Sequence, residues 1–349
     1  MKLRTPNREN GNANLGRAKQ KKDDEFYTDY CDIDRELCHY KDQLTGKVVY
    51  LPCDSRASQF YNWFERHFKE LKLKRLIMTH YVPEGEGKPS RYDLTPGTQG
   101  RLILKRSPMK GDGDFRSEEC RRIAEEADVI ITNPPFSLIR DFFKFLRESE
   151  KKFLVIIPLH SVYSQVAFPF LYGDHAWLGV TQPKFFKTPD GGVKKFGNTC
   201  WFTNMENPRR QQPLKLTKVY RGHEADYPTY DNYNAIEVSR TCDIPADYDG
   251  LMGVPLSFLH KHDPRQFEIL GQAHGRAEYE LCAQPVKKYE NEVECVSGKV
   301  VRPTCSINTG AVFAVDQVPE GRHYYRVPGQ EKPLVMPYCR LLIRRRAGG

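Results

Sequence analysis

Between residues 24 and 204 the apolar positions fall into blocks whose period switches repeatedly between that of a strand and that of a helix. Ile33, Leu37, Tyr40 and Leu44 recur at helical spacing and predict one helix after the segment DEFYTDYCD. The run KVVYLPC (47–53) has strand composition. Phe60, Phe64, Phe68 and Leu71 then mark one face of a helix for which Ser55 is the candidate cap. RLIMTHY (75–81) predicts a second strand, followed by a Gly/Pro-rich polar stretch (83–100) and a short strand at RLILKR (101–106). Ser117, with Glu118 and Glu119 behind it, starts a helix that runs to a strand at DVIITN (128–133). Ser137 opens the next helix, with Ile139, Phe142, Phe143 and Leu146 on its inner face. FLVIIP (153–158) is another strand, and HAWLGV (175–180) and TCWFTN (199–204) form a late pair. Short buried strands separated by helices predict an α/β fold with a doubly wound parallel sheet. Ligands of such sheets sit beyond the carboxyl ends of the strands, so chemistry is expected there.

After about residue 205 this texture stops. NPRRQQPLKLTK (207–218) reads as a polar, proline-containing linker. Turn-rich segments follow, with two Gly/Pro-punctuated strands and a basic end, CRLLIRRR (339–346). Residues 1–22 carry seven basic side chains and one acid, which makes them a cationic arm. Boundaries are therefore expected at 1–22, 23–204 and 205–349.

The chain has 349 residues, a hydrophobic fraction of 39% and a formal charge of +9, so it can bury a core and attract polyanions. No window reaches about 18 uncharged apolar residues, and the N-terminus lacks the apolar stretch of a secretory signal. A soluble cytoplasmic protein with no membrane partner is expected. Its ten cysteines contain no C-x-x-C pair and read as reduced thiols. Cys31, Cys38 and His39 have no second cluster beside them, so no metal site is expected.

The sharpest chemical signal is Asn133-Pro134-Pro135-Phe136, at the end of the strand DVIIT. Two prolines remove two backbone donors and restrict φ, leaving a stiff wall of carbonyl acceptors. The Asn133 amide oxygen adds an acceptor, and Phe136 offers a flat face for stacking. Such a set suits an exocyclic amine on a planar ring. A plain strand-terminating proline turn is the competing explanation. The loop QPKFFKTPDGGVKKFGN (182–198) sets Lys184, Lys187, Lys194 and Lys195 among Phe185, Phe186 and Phe196. Lysines there can neutralise phosphates while an aromatic stacks on a base. An ordinary exposed hairpin with one buried Phe fits the same residues equally well.

With these residues in view, the sequence resembles the EcoRI-type family of adenine-specific DNA methyltransferases. The likeness runs through DEFYTDYCDI (24–33), KVVYLPCD (47–54), GDGDFRS (111–117) and ITNPPFSL (131–138). It continues through TCWFTN (199–204), DIPADYDGLMGVPLSFLHKHDPRQFEI (243–269) and YCRLLIRR (338–345). The resemblance implies a Rossmann-like methyltransferase sheet over 23–204, a target-recognition region over 205–349 and S-adenosylmethionine as cofactor. It implies that Phe26, Tyr27 and Thr28 lie against the methionine part of the cofactor and that Asp54 belongs to the first cofactor motif. Asp114 and Phe115 match the pair that reads the cofactor adenine, and Asn133, Pro134, Pro135 and Phe136 match the target-adenine pocket. Double-stranded DNA is the implied partner, with a restriction endonuclease as a functional but unbound companion. The usual glycine-rich turn after the first strand is absent: the residues are Cys53-Asp54-Ser55-Arg56. Asp54 can also be read as a helix cap. Similar Asn-Pro-Pro-aromatic sites methylate guanine N2 of ribosomal RNA or a glutamine amide of release factors, and a DNA-binding chain with a decayed cofactor pocket is a further alternative.

Overall fold

A computed structural model of the protein describes residues 27–187, 192–195, 197–273, 285–305, 307–308 and 310–346. Two compact units are formed, one from the residues up to 166 with 178–207, the other from 167–177 with 208 onward.

The first unit is built on an eight-stranded sheet. Its strands are β2 (Val48–Leu51), β3 (Arg75–Met78), β4 (Ser90–Pro96), β5 (Leu102–Pro108), β6 (Val129–Thr132), β7 (Lys152–Pro158), β8 (Trp177–Leu178) and β11 (Thr199–Thr203). Across the sheet they lie in the order β5-β4-β3-β2-β6-β7-β11-β8. The central four, β3-β2-β6-β7, are parallel, as the alternation of short apolar strands with helices requires. Beyond them the sheet departs from the expected all-parallel arrangement. β4 pairs antiparallel with β3 and β5 antiparallel with β4, and β11 is antiparallel to β7. The reason is chain length. No α-helix lies between β3 and β4 or between β4 and β5, where there is only a 3₁₀ turn at Thr98–Gly100, and a parallel crossover needs a dozen or more residues. β4 itself lies inside the stretch expected to be a polar loop, because its flanking glycines and prolines mask the alternation of Ser90, Tyr92 and Leu94.

Helices α1 (Tyr30–Leu37), α2 (Gln59–His67), α3 (Glu118–Glu125) and α4 (Ile139–Ser149) cover the sheet. α1 is shorter than its apolar spacing suggests and continues as separate helical turns over Cys38–Tyr40 and Lys41–Leu44. Ser117 caps α3 by accepting from the Cys120 amide at 3.2 Å, as expected. The cap of α2 is Ser58, whose Oγ accepts from the Tyr61 amide, and not Ser55, which only bends the preceding turn. Ser137 sits in a 3₁₀ turn (Phe136–Leu138) before α4 rather than capping it. Phe60, Trp63 and Phe64 of α2 join Val49, Leu51, Leu76, Ile131 and Leu154 in one apolar core.

A separate three-stranded sheet joins β1 (Tyr27–Thr28) to the hairpin β9 (Phe185–Lys187) and β10 (Val193–Lys195), in the order β1-β9-β10. Thr28 stands opposite Phe186.

The second unit contains a short helix, α5 (Phe168–Tyr172), and two further sheets. One is made from β12 (Ile236–Glu237), β13 (Met252–Pro255), β14 (Phe267–Ala273) and β20 (Arg340–Arg345), in the order β12-β13-β20-β14. The other is made from β15 (Glu292–Val296), β16 (Lys299–Cys305), β17 (Phe313–Ala314), β18 (His323–Arg326) and β19 (Leu334–Val335), in the order β16-β15-β18-β19-β17. This region is richer in strands than the turn-dominated texture suggests. Several are two residues long, too short to show a period of two.

Candidate functional site

The central strands of the first unit deliver the candidate residues from their carboxyl ends. Asp54 follows β2, His80 and Tyr81 follow β3, and Asn133-Pro134-Pro135-Phe136 follow β6. β6 is apolar and wholly buried, and the prolines stop it abruptly because neither can donate to a ladder. Asn133 Oδ1 is buried, while Phe136 is half-buried and packs against the core.

Asp54 is 6% exposed, and its Oδ2 accepts a 2.7 Å hydrogen bond from Thr132 Oγ1, the residue before Asn133. Burial pushes its carboxyl up to about 6, partly offset by the hydroxyls of Thr132 and Ser58. Among the described residues no cationic side chain contributes to that balance. Asp54 is therefore not the cap of α2; Ser58 is, and it serves Asp54 as well. The neighbouring Cys53 thiol is pushed well up, chiefly by burial.

The loop GDGDF lies against the chain leaving β3. Val82 N donates to Asp112 O at 2.8 Å, and Gly113 has φ +81° with His80 O only 2.1 Å from where a Cβ would stand. Only glycine fits there. Burial would raise the Asp114 carboxyl, but hydrogen bonds and charge from Arg116 outweigh it and hold it below its ordinary value. Arg116 reaches Asp114 at 2.6 Å through Nη2. Phe115 is 3% exposed and packs edge-on against Phe142 and Phe145 of α4.

Thr28 is buried, and its Oγ1 has no hydrogen-bond partner among the described residues. The side chain of Tyr27 and all of Phe26 lie outside the described residues. A buried hydroxyl still to be satisfied, and a buried carboxylate whose partners are hydroxyls, fit a cationic, hydroxyl-bearing ligand such as S-adenosylmethionine.

On the hairpin, Lys184 and Lys195 are exposed and Phe185 is 48% exposed. Phe186 is wholly buried in the main core, so reading it as a base-stacking side chain is corrected: strand alternation turns it inward while Phe185 points out. Phe196, the arm 1–22 and the side chains of Lys187 and Lys194 lie outside the described residues.

Two groups escaped the sequence reading. Thr132 carried no signal of its own. Asp32 and Glu36 did, since both fall on the apolar stripe of α1 beside Ile33 and Leu37. Glu36 is 0% exposed and accepts from the amides of Val180 and Thr181 and from the hydroxyls of Tyr40 and Thr181. Asp32 accepts from the Lys184 amide. The two carboxylates fasten the irregular segment 180–184 that leads into the hairpin. At the basic end, Arg344 pairs with Glu268 and Arg345 with Asp249. Among the described residues no cluster of His, Cys, Asp or Glu could hold a metal ion, the cysteines are free thiols, and no helix is long and apolar enough to cross a membrane.

Comparison with known proteins adds an independent finding. A family model described as adenine-specific methyltransferase EcoRI matches residues 14–346. The Type II methyltransferase M.EcoRI of Escherichia coli is 38% identical over 300 residues, covering 77% of this chain and 92% of that protein. M.MpnI of Mycoplasma pneumoniae is 36% identical over 277 residues, 73% of this chain and 84% of its own length. M.MgeORF184P of Mycoplasma genitalium is 32% identical over 276 residues, 73% and 85%. No solved structure matches.

Proposed function

The chain belongs to the adenine-specific methyltransferase EcoRI family and is a DNA-methylating enzyme, and from that premise we propose which residues do the work. The reading is methyl transfer to N6 of an adenine flipped out of duplex DNA. The observation that carries it is the stiff Asn133–Phe136 wall at the end of buried β6, with Asn133 Oδ1 buried as an acceptor.

An adenine amine is a poor nucleophile because its lone pair is delocalised into the ring. Asn133 Oδ1 and the Pro134 carbonyl accept its two N–H bonds, which favours pyramidal nitrogen and localises the pair. Pro135 fixes the direction of the chain, and Phe136 stacks on the base. S-adenosylmethionine supplies an electrophilic methyl group on a sulfonium. In a displacement the N6–methyl bond would form as the sulfonium's S–CH3 bond breaks, leaving a neutral thioether, and the surplus N6 proton would pass to solvent. No covalent enzyme intermediate is needed, so catalysis rests on positioning and electrostatics. Thr28 and Asp54 offer a hydroxyl and a carboxylate to the polar end of the cofactor, together with Phe26 and Tyr27 of the same segment. Asp114, an acceptor with lone pairs beyond those Arg116 uses, suits the cofactor's adenine amine, and Phe115 backs that loop through α4. N6 is unreachable inside a duplex, so the base must leave the stack.

For the duplex, Lys184, Phe185 and Lys195 of the hairpin provide charge and a stacking face, with Lys187, Lys194 and Phe196 of the same segment. The region after residue 205 is the proposed target reader. Free thiols support a reducing cytoplasm, and the Type II names of the relatives support a restriction enzyme acting on the same site but unbound. The test is methylation of a mixed DNA pool with labelled cofactor, followed by digestion to nucleosides. Label in N6-methyladenine is expected; label in guanine of RNA, or in protein, would overturn the reading.

A further inference from the structure

Asp54 is costly where it stands. The strands around it are largely apolar and buried, and among the described residues an ionised carboxylate there has only neutral donors. An amide or a small apolar side chain would fill the place with less penalty. What the carboxylate supplies is a strong, charge-assisted acceptor for the Thr132 hydroxyl at 2.7 Å.

Thr132 is well placed to pass that grip on. It is 0% exposed, it is the last residue of β6, and its backbone is held by pairing with Val155 of β7. Being β-branched, it has few rotamers to choose from. Its carbonyl begins the peptide that carries Asn133 off the strand. We infer that Asp54 is a positioning residue which, through Thr132, fixes the angle at which Asn133 meets the target amine, so that one carboxylate serves both the cofactor side and the base side of the site. The inference rests on the function proposed for Asn133.

Among the described residues, the groups facing Asp54 are few. Thr132 reaches it from β6 and Ser58 from the cap of α2, and neither is charged. Cys53, its chain neighbour, holds its proton because burial pushes the thiol up. The Asp54 carboxyl itself is pushed up to about 6 by burial. Once protonated it is a weaker acceptor, and the hold on Thr132 loosens.

The test compares wild type with Thr132→Val, Thr132→Ser, Asp54→Asn and the Asp54→Asn/Thr132→Val pair. Single-turnover methylation is measured from pH 5 to 8, and extrusion of 2-aminopurine at the target position is followed by fluorescence. Calorimetry with S-adenosylmethionine and circular dichroism report cofactor binding and folding. Thr132→Val keeps the shape and loses the hydroxyl. It should slow methylation roughly ten- to a hundredfold, the worth of one hydrogen bond to a charged group, and lower the bound 2-aminopurine signal at unchanged cofactor affinity. Thr132→Ser should restore both readouts. The double variant should be no slower than the slower single one. The acid limb of the wild-type rate, at or below about pH 6, should vanish in Asp54→Asn. A Thr132→Val enzyme as fast as wild type, or a double variant whose losses simply add, would overturn the inference. Asn133→Ala run alongside separates the two claims. If it is slow while Thr132→Val is not, the amine pocket stands and the positioning role falls. If Asn133→Ala is as fast as wild type, the pocket itself is wrong.

Discussion

Asp54 in the first unit, just beyond the end of β2, and Glu237 in the second, on β12, are both buried carboxylates, 6% and 2% exposed, with opposite surroundings. Glu237 on β12 receives the Arg340 guanidinium from β20 through Nε at 3.0 Å and Nη2 at 2.6 Å. The hydroxyls of Tyr230 and Ser239 fill its remaining lone pairs. Gly253 of β13 leaves room for that Tyr230 hydroxyl, which lies 2.0 Å from where a Cβ would stand. Every lone pair and every charge there is answered, so the group is part of the architecture. Among the described residues Asp54 receives hydroxyls only, with no cation to answer its charge. The contrast separates a buried charge that holds a fold together from the one proposed above to serve chemistry, by what answers each.

Removing the answer to Glu237 should have the largest effect. Arg340→Ala strands a buried carboxylate and should lower the unfolding free energy by about 3–5 kcal/mol, read from denaturant titration. Asn133→Ala should do the reverse, costing much less stability but about 3–4 kcal/mol of transition-state stabilisation, or 10²–10³ in single-turnover rate. Asn133→Asp keeps an oxygen and should retain much more activity than Ala; equal rates would make Asn133 only a turn residue.

Asp54→Asn should stabilise the protein. The folded carboxyl titrates at about 6, above its ordinary 3.8, so the folded state holds a proton that the unfolded chain has lost. Wild-type stability must then fall as pH rises from about 4 through 6 and stay lower above it. Asparagine escapes that fall, so the variant should gain about 2–3 kcal/mol at pH 7.5 and nothing at pH 4, by unfolding at both pH values. A gain independent of pH would contradict the contrast with Glu237.

Cations extend the same comparison. Arg344 and Arg345 are answered by Glu268 and Asp249, whereas the seven basic residues of 1–22 face one acid in their own segment. Deleting 1–22 should flatten the dependence of log K for DNA on log salt by ~0.9 for each phosphate that the arm neutralises, with cofactor affinity unchanged. Arg344→Ala should leave the slope as it is.

Sequence pattern made some of this legible and hid the rest for identifiable reasons. β6 and its proline stop were readable because a buried apolar run meeting two prolines has few other meanings, and Ser117 was readable because two glutamates follow it. Ser58 lost to Ser55 because both precede the same apolar stripe and only backbone geometry separates them. Phe185 and Phe186 are identical in composition, and which one is buried depends on strand parity, which a three-residue strand does not display. Asp54 and Thr132 lie 78 positions apart, and their bond exists only because β2 and β6 are neighbours in the sheet.

The small three-stranded sheet has a kinetic consequence. β1 is two residues long, and its partner hairpin is fastened to α1 by bonds spanning 144 and 152 positions, Val180 to Glu36 and Lys184 to Asp32. Closing so large a loop for so short a ladder is slow, and such a ladder opens more readily than the central strands. The amides of Thr28 and Phe186 should therefore exchange with solvent deuterium together, well ahead of those of β2 and β6. A ligand that satisfies Thr28 would slow both at once, so the exchange of one hairpin amide becomes a clock for occupancy at the opposite strand.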